Sequence, residues 1–325
     1  MYATSLDIDL DIMAFENFNV AVTGGTGFVG SALVTRLLEL GCSVKVLTRN
    51  TSWSCEGVSV FYGDLADDDS IHVIEEFCDQ VDVMFHCAGE VINETNMEAV
   101  HVEGTTRLIN SCGRNIKRWV QLSSVGAYGR IRDGKITADT KCRPEGLYEV
   151  SKTKSDKLIE EAFNDYVIVR PSIVFGKNMK NKSLKQLVLM LKRRLFFFIN
   201  PDAFLNYVHV DDLVSILCNV GLADKNLKPI VIVSRCLSVR KVIQAFCRGL
   251  EISEPRVVVP ERVARILAAC FSLYSGFPLT KQRIDALTSR SRYSDRDFEQ
   301  VLGSSRYASL DQQLEKYAKE IRITT

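Results

Sequence analysis

FNVAVTGGTGFVGSALVTRLLEL, residues 18–40, is the stretch that decides how this chain folds. Its first six residues form an apolar run of strand type, and from Phe28 to Leu40 the apolar positions recur at helical spacing. Between strand and helix stand Gly24, Gly27 and Gly30. Gly24 permits a tight turn, Gly27 lets backbone approach a pyrophosphate, and Gly30 allows the helix to pack closely on the strand. Phe28 and Val29 open the helix, whose N-terminus offers N–H donors and a positive dipole end. A glycine string alone is a weak signal, and its plain alternative is a structural turn. Set between a strand and a helix, it predicts a dinucleotide-binding loop.

Outward from this unit the same order repeats. SVKVLT, VSVFYG, VDVMFHC at 81–87, RWVQLS at 118–123 and YVIVRP at 166–171 read as strands, with helical stretches near 67–78, 95–114 and 147–163 between them. Repeated strand-helix order predicts an α/β fold, a doubly wound Rossmann-type parallel sheet with helices on both faces. The pattern changes after Gly176. A basic, apolar segment precedes a strand NYVHV, a helix at 211–222, a strand PIVIVS, and helical segments near 238–250 and 260–274. The expected organisation is an N-terminal extension (1–17), a nucleotide-binding domain (18–176) and a smaller, mainly helical C-terminal substrate region (177–325). Strands near 206–210 and 229–234 are expected to return to the main domain.

Composition excludes several classes. The 325 residues carry 41 Lys+Arg against 40 Asp+Glu, a formal charge of +1, with 46% hydrophobic residues. That balance argues against a nucleic-acid binder and against an acidic disordered chain. Ten cysteines are scattered, the closest pair being Cys78 and Cys87, and four histidines lie far apart, so neither a disulfide framework nor a metal site is expected. The first residues lack the basic start and long apolar run of a secretory signal. The uncharged stretch 266–280 is short for a bilayer and broken by Ser272, Ser275, Gly276 and Pro278; a core-facing helix is the expectation, with no membrane span. A cytoplasmic location follows from these readings.

Residues that carry chemistry follow the glycine loop. The second strand ends VKVLTRN, with Arg49 where a carboxylate would hold the ribose 2′-hydroxyl of NAD; an arginine there matches a 2′-phosphate and favours NADP(H), its alternative being a surface residue. Asp64, followed by Leu65 in YGDL, can accept from the adenine amino group or simply cap a strand end. Tyr148 and Lys152 lie four apart in YEVSK and so share a helical face. Moving a phenol from a pKa of ~10 to ~7 takes about 4 kcal/mol. An ammonium ~4 Å away at an effective dielectric of ~20 supplies about that much, so the spacing predicts a tyrosine made acidic by Lys152. Ser124, at the end of the strand WVQLSS, would bond the same substrate oxygen.

Taken together, the chain resembles the extended short-chain dehydrogenase/reductase family, in the NAD(P)-dependent epimerase/dehydratase branch typified by nucleotide-sugar 4-epimerases. The resemblance rests on TGGTGFVG, GDL at 63–65, FHCAG at 85–89, HVEGT at 101–105, LSSVGAYG at 122–129, YEVSK, RPSIVFG at 170–176 and YVHVDD at 207–212. It implies a Ser124, Tyr148, Lys152 active triad, with Lys152 also holding the nicotinamide ribose. Ala88 and Gly89 would line the cofactor cleft, and Pro171 to Ile173 would pass beside the nicotinamide. A homodimer through the helices near 95–114 and 147–163 is implied by the same analogy. Three departures matter. His101 stands where the family often has Asn, and either faces substrate or packs within its helix. Val125 and Gly126 replace the Asp-Glu pair of the 4,6-dehydratases, which disfavours dehydration. No Arg precedes the YVHV strand to grip a nucleotide diphosphate, leaving Lys180, Arg193 or Arg194 for that role, unless the substrate is not a nucleotide-sugar. The leading reading is an NAD(P)-dependent epimerase or 4-keto reductase of a nucleotide-sugar. Its alternatives are an NADPH-dependent reductase of a hydrophobic ketone, of flavonoid or steroid type, and a non-catalytic NADP-binding sensor or scaffold.

Overall fold

The computed structural model describes residues 18–113, 116–179, 183–222, 228–270, 280–302 and 308–324. The chain order opens β1 (Asn19–Thr23), α1 (Phe28–Glu39), β2 (Ser43–Thr48), β3 (Val58–Tyr62), α2 (Ile71–Cys78) and β4 (Val83–His86). A π-helical turn, Ala99–Glu103, runs into α3 (Gly104–Cys112), followed by β5 (Arg118–Leu122), a 3₁₀ turn Val125–Tyr128, β6 (Asp133–Ile136), α4 (Leu147–Ala162) and β7 (Tyr166–Pro171). Then come β8 (Ile173–Phe175), α5 (Ser183–Lys192), β9 (Phe204–His209), α6 (Val210–Leu222), β10 (Ile230–Val233), β11 (Arg235–Ser238) and α7 (Val239–Leu250). The chain closes with α8 (Glu261–Cys270), α9 (Lys281–Thr288), β12 (Arg290–Tyr293), α10 (Arg296–Leu302) and α11 (Leu310–Thr324).

Seven parallel strands form the central sheet in the order β10-β7-β5-β4-β1-β2-β3. The pleat sends alternate side chains to opposite faces. Val20 and Val22 of β1 join the core under α1 and α6, with Leu33, Leu37, Leu213 and Leu217, while Ala21 joins the core under α2, α3 and α4, with Phe77, Leu108 and Ile159. Strands buried on both faces explain why the sequence shows unbroken apolar runs instead of alternation. The strand order reverses between β1 and β4, the crevice where doubly wound folds bind ligands.

Beyond β7 a second core forms. Phe175, Leu205 and Tyr207 pack with Leu184, Val188 and Leu191 of α5, Val242 and Phe246 of α7, and Leu314 and Tyr317 of α11. One expectation is corrected here. The strand foreseen near 206–210 does not return to the main sheet; β9 lies between β8, parallel, and β11, antiparallel, in a three-stranded sheet. Leu205 and Tyr207 point into the second core and Val208 into the first, so this strand bridges the two instead of extending one. β10 does rejoin the main sheet, beside β7. The core-facing helix foreseen at 266–280 is also revised. α8, described from Glu261 to Cys270, buries Ala264 but leaves Ile266 62% exposed, and 271–279 lie outside the described residues. The 1–17 extension lies outside them too. Among the described residues no helix is long and apolar enough to cross a membrane.

Candidate active site

The glycine loop does what its spacing predicts. Gly24 has a φ of +68°, a left-handed value, and a Cβ there would sit 2.7 Å from the Ala88 nitrogen. A Cβ on Gly30 would collide with the Gly24 carbonyl, so α1 can approach β1 this closely only with glycine there. Gly27 is the N-cap of α1 in extended conformation; no side chain caps the helix, and its first turn holds no acid. Those first N–H groups are left for an anion. The loop opens onto a cleft of about 450 Å³ at the β1/β4 crevice, lined by Gly24, Gly27, Arg49, Asp64, Leu65, Ala88 and Gly89. A glycine cradle, an uncapped helix N-terminus and a cleft beside them fit the phosphates of a dinucleotide.

Seven of the expected cofactor residues therefore share one wall. Thr26, Asn50, Cys87 and Glu90, which the sequence reading passed over, line it too. Their neighbours in the motifs were the available signal. Phe28 and Val29 contribute through their place in the first turn, since both side chains pack against the core. The Arg49 side chain is 60% exposed and its Nη1 lies 3.7 Å from Asp64 Oδ2, so the two residues assigned to the adenosine end sit side by side in the cleft. Pro171 ends β7 in register with Val233 and is buried.

Tyr148 and Lys152 lie on α4, which starts after Gly146. Lys152 is 4% exposed. Burial lowers its pKa, and Asp156, one turn on, and Cys87 oppose that. The Tyr148 phenol departs from expectation. It is pushed up to about 12, by burial first and then by Glu149 and Asp156. Burial and the two carboxylates disfavour the phenolate, so the phenol of the protein by itself is held protonated. Ser124 caps the 3₁₀ turn after β5, its Oγ accepting from the Gly126 nitrogen at 3.0 Å. A Cβ on Gly126 would meet the Glu149 side chain at 2.6 Å and Ser124 Oγ at 3.3 Å. The serine-bearing turn and the first turn of α4 are thus in direct contact.

Beneath these lies a buried ion pair. Arg170 of β7 sets Nη2 3.1 Å from Asp156 Oδ2, which also accepts from Ser123 Oγ at 2.7 Å. The guanidinium lies 5.1 Å from the Tyr128 ring centroid. This cluster fixes α4 against β5 and β7.

Of the residues foreseen for substrate, His101 is corrected. Its ring is fully buried, Nε2 accepts from the Glu90 nitrogen at 2.9 Å, and Nδ1 lies 2.7 Å from Ser151 Oγ. Both nitrogens are used inside the protein, so the ring does not face substrate; it stacks edge-on against Tyr148 with centroids 5.6 Å apart. Arg193 and Arg194 follow α5 on the surface, and Arg194 donates to Ser253 Oγ at 3.2 Å. Neither lines the cavity that contains Ile173. Lys180 lies outside the described residues. That cavity, about 160 Å³, runs from Ile173 between α5, β9 and α9. Its walls include Leu187, Met190, Phe196, Ile199, Leu205 and Tyr207, with Ser183, Gln186 and Arg283 among the polar members. Arg283 donates to Gln186 Oε1. The sequence reading did not find Arg283, because nothing near it in the chain marks it.

Comparison with known proteins agrees with this geometry. The pattern of the NAD dependent epimerase/dehydratase family matches residues 20–232. The tetraketide alpha-pyrone reductase 2 of Arabidopsis thaliana is 28% identical over 231 residues, 60% of this chain and 71% of that protein. Short-chain dehydrogenase/reductase family 42E member 1 of Mus musculus is 27% identical over 246 residues, 66% of this chain and 62% of that protein. In fold, the UDP-glucose 4-epimerase of Thermotoga maritima, solved with UDP-glucose, superposes with a TM-score of 0.70 at 18% identity, covering 94% of this chain and 99% of its own.

Proposed function

Since this chain belongs to the NAD dependent epimerase/dehydratase family of extended short-chain dehydrogenases/reductases, we propose that it is an NADP(H)-dependent reductase of an apolar carbonyl compound. The observation that carries the substrate class is the apolar cavity at Ile173. No arginine precedes the YVHV strand, and Leu205, 8% exposed, stands there on the cavity wall. Burying a diphosphate against Leu187, Met190, Phe196 and Leu205 would leave its charge unpaired, which is expensive. An aromatic or alicyclic ring fits the same walls. Arg283 would donate to a hydroxyl, carbonyl or carboxylate oxygen on that ring, and the Gln186 amide could donate to the same group. The names of the reductase relatives point the same way. The nucleotide-sugar reading rests on the fold neighbours, and among the described residues Arg283 is the cation lining this cavity.

The cofactor, when bound, supplies the hydride. Tyr148 would deliver its proton to the carbonyl oxygen, Ser124 would donate a hydrogen bond to the same oxygen, and Lys152 would hold a ribose hydroxyl. Arg49 at the cleft rim would pair with a 2′-phosphate. Loss of absorbance at 340 nm tests the proposal directly. NADPH should be oxidised with aromatic or alicyclic ketones faster than NADH is, and faster than with a 4-keto nucleotide-sugar. Turnover confined to the nucleotide-sugar would overturn the substrate class, and equal rates with NADH would remove the role of Arg49.

A further inference from the structure

Two buried histidines stand between the cofactor cleft and the catalytic helix, and one arrangement of protons satisfies all the hydrogen bonds around them. Start at His101. Its Nε2 accepts the Glu90 N–H, so that nitrogen carries no hydrogen and Nδ1 must. Nδ1–H therefore donates to Ser151 Oγ, whose own hydroxyl donates to the Tyr148 carbonyl at 3.1 Å. His86 has the opposite form. Thr23 Oγ1 accepts the Ala88 N–H at 3.2 Å, and its hydroxyl donates to His86 Nδ1 at 2.6 Å. His86 Nε2–H then donates to Thr105 Oγ1 at 3.1 Å. Thr105 passes its hydrogen to the His101 carbonyl at 2.5 Å and accepts from Ser155 Oγ at 2.9 Å, leaving Ser155 to accept from Gln121 Nε2. Each donor meets an acceptor.

We propose that His86 and His101, in opposite tautomers, hold the cleft wall 88–90 against the helix that carries Tyr148 and Lys152, with His101 the positioning residue that sets their alignment. The proposal rests on the cofactor reading of the cleft. The π-helical turn Ala99–Glu103 carries His101 inward, and a Cβ on Gly89 would come within 3.3 Å of its Nε2, so the cleft wall lies directly on the ring. The ring edge in turn supports Tyr148. Lys152 lowers the proton affinity of both imidazoles, as does their burial, so neither link carries a charge.

Affinity for NADPH, read by its fluorescence without substrate, tests the link. His101→Leu should weaken binding by at least ~10-fold and lower kcat as well, since a lost buried acceptor costs of that order. His101→Gln, whose Oε1 can accept the Glu90 N–H, should stay within ~3-fold of the parent. A folded His101→Leu protein with unchanged affinity and kcat would overturn the proposal alone. Failure of the parent protein to bind NADPH or NADH would overturn the cofactor reading and this proposal with it. Nitrogen-15 NMR of the unsubstituted protein decides the matter even if the leucine variant does not fold. His101 protonated at Nδ1 and His86 at Nε2 support the link; any other pair of tautomers sinks it.

Discussion

Tyr148 shows how far a spacing argument reaches at the scale of one residue. Four residues separate it from Lys152, and the sequence alone placed both on one helical face. The same spacing predicted a phenol made acidic by the ammonium, and that did not follow. Partial burial of Tyr148 beside Glu149 and Asp156 burdens the phenolate. Tyr148→Phe should reduce turnover by at least ~10² while leaving NADPH affinity within ~2-fold, measured by steady-state kinetics and fluorescence titration. His101 shows the opposite limit. Its letter stood out in HVEGT, yet whether the ring met substrate or protein depended on the π-helical turn, which no local pattern announced.

At the scale of elements, the central helices and strands were legible because each carries its own apolar period. What those elements pack against was less so. Strand β9 has apolar residues on both faces, so its pattern could not choose between the main sheet and a small one; the contacts of Leu205 and Val208 on opposite sides decide it. Gly249 is another case. Glycine inside a helix costs about 1 kcal/mol relative to alanine, and nothing in VRKVIQAFCRGL says why it is there. In the fold, a Cβ at 249 would strike the Glu315 carbonyl and come within 2.9 Å of Ala318 Cβ, because α7 and α11 pack at that point. Arg248 clamps the same pair, its Nε 2.6 Å from Glu315 Oε2 and its Nη2 3.1 Å from Asp311 Oδ2. Gly249→Val should lower stability by about 1–3 kcal/mol in urea unfolding. The nucleotide cleft lies elsewhere, so cofactor affinity should hold in the folded fraction.

Over the whole molecule, burial of ionisable groups couples the site to the stability of the fold. His101 is held down to about 3 from an ordinary 6.5, mainly by burial and then by Lys152. Below pH 6.5 the unfolded chain binds a proton that the folded one refuses until about pH 3, so stability falls on acidification across that window. The slope contributed is at most about 1.4 kcal/mol per pH unit. Asp156 and Asp212 are shifted up by burial and oppose this at the acid end. The measurement is therefore a difference: His101→Gln should flatten the fall in urea midpoint between pH 6.5 and 4 relative to the parent, and equal slopes would show that His101 already takes up its proton in the folded state. The sequence by itself determined the glycine loop, the doubly wound order and the placing of Tyr148 and Lys152 on one helix, because glycine conformation, apolar period and helical spacing act between near neighbours. The tertiary structure alone decided the protonation of Tyr148, the inward turn of His101, the sheet that takes β9 and the apolar cavity that brings Ile173, Leu205 and Arg283 together. Those depend on how completely distant segments exclude water from one another, a property that no window of the chain contains.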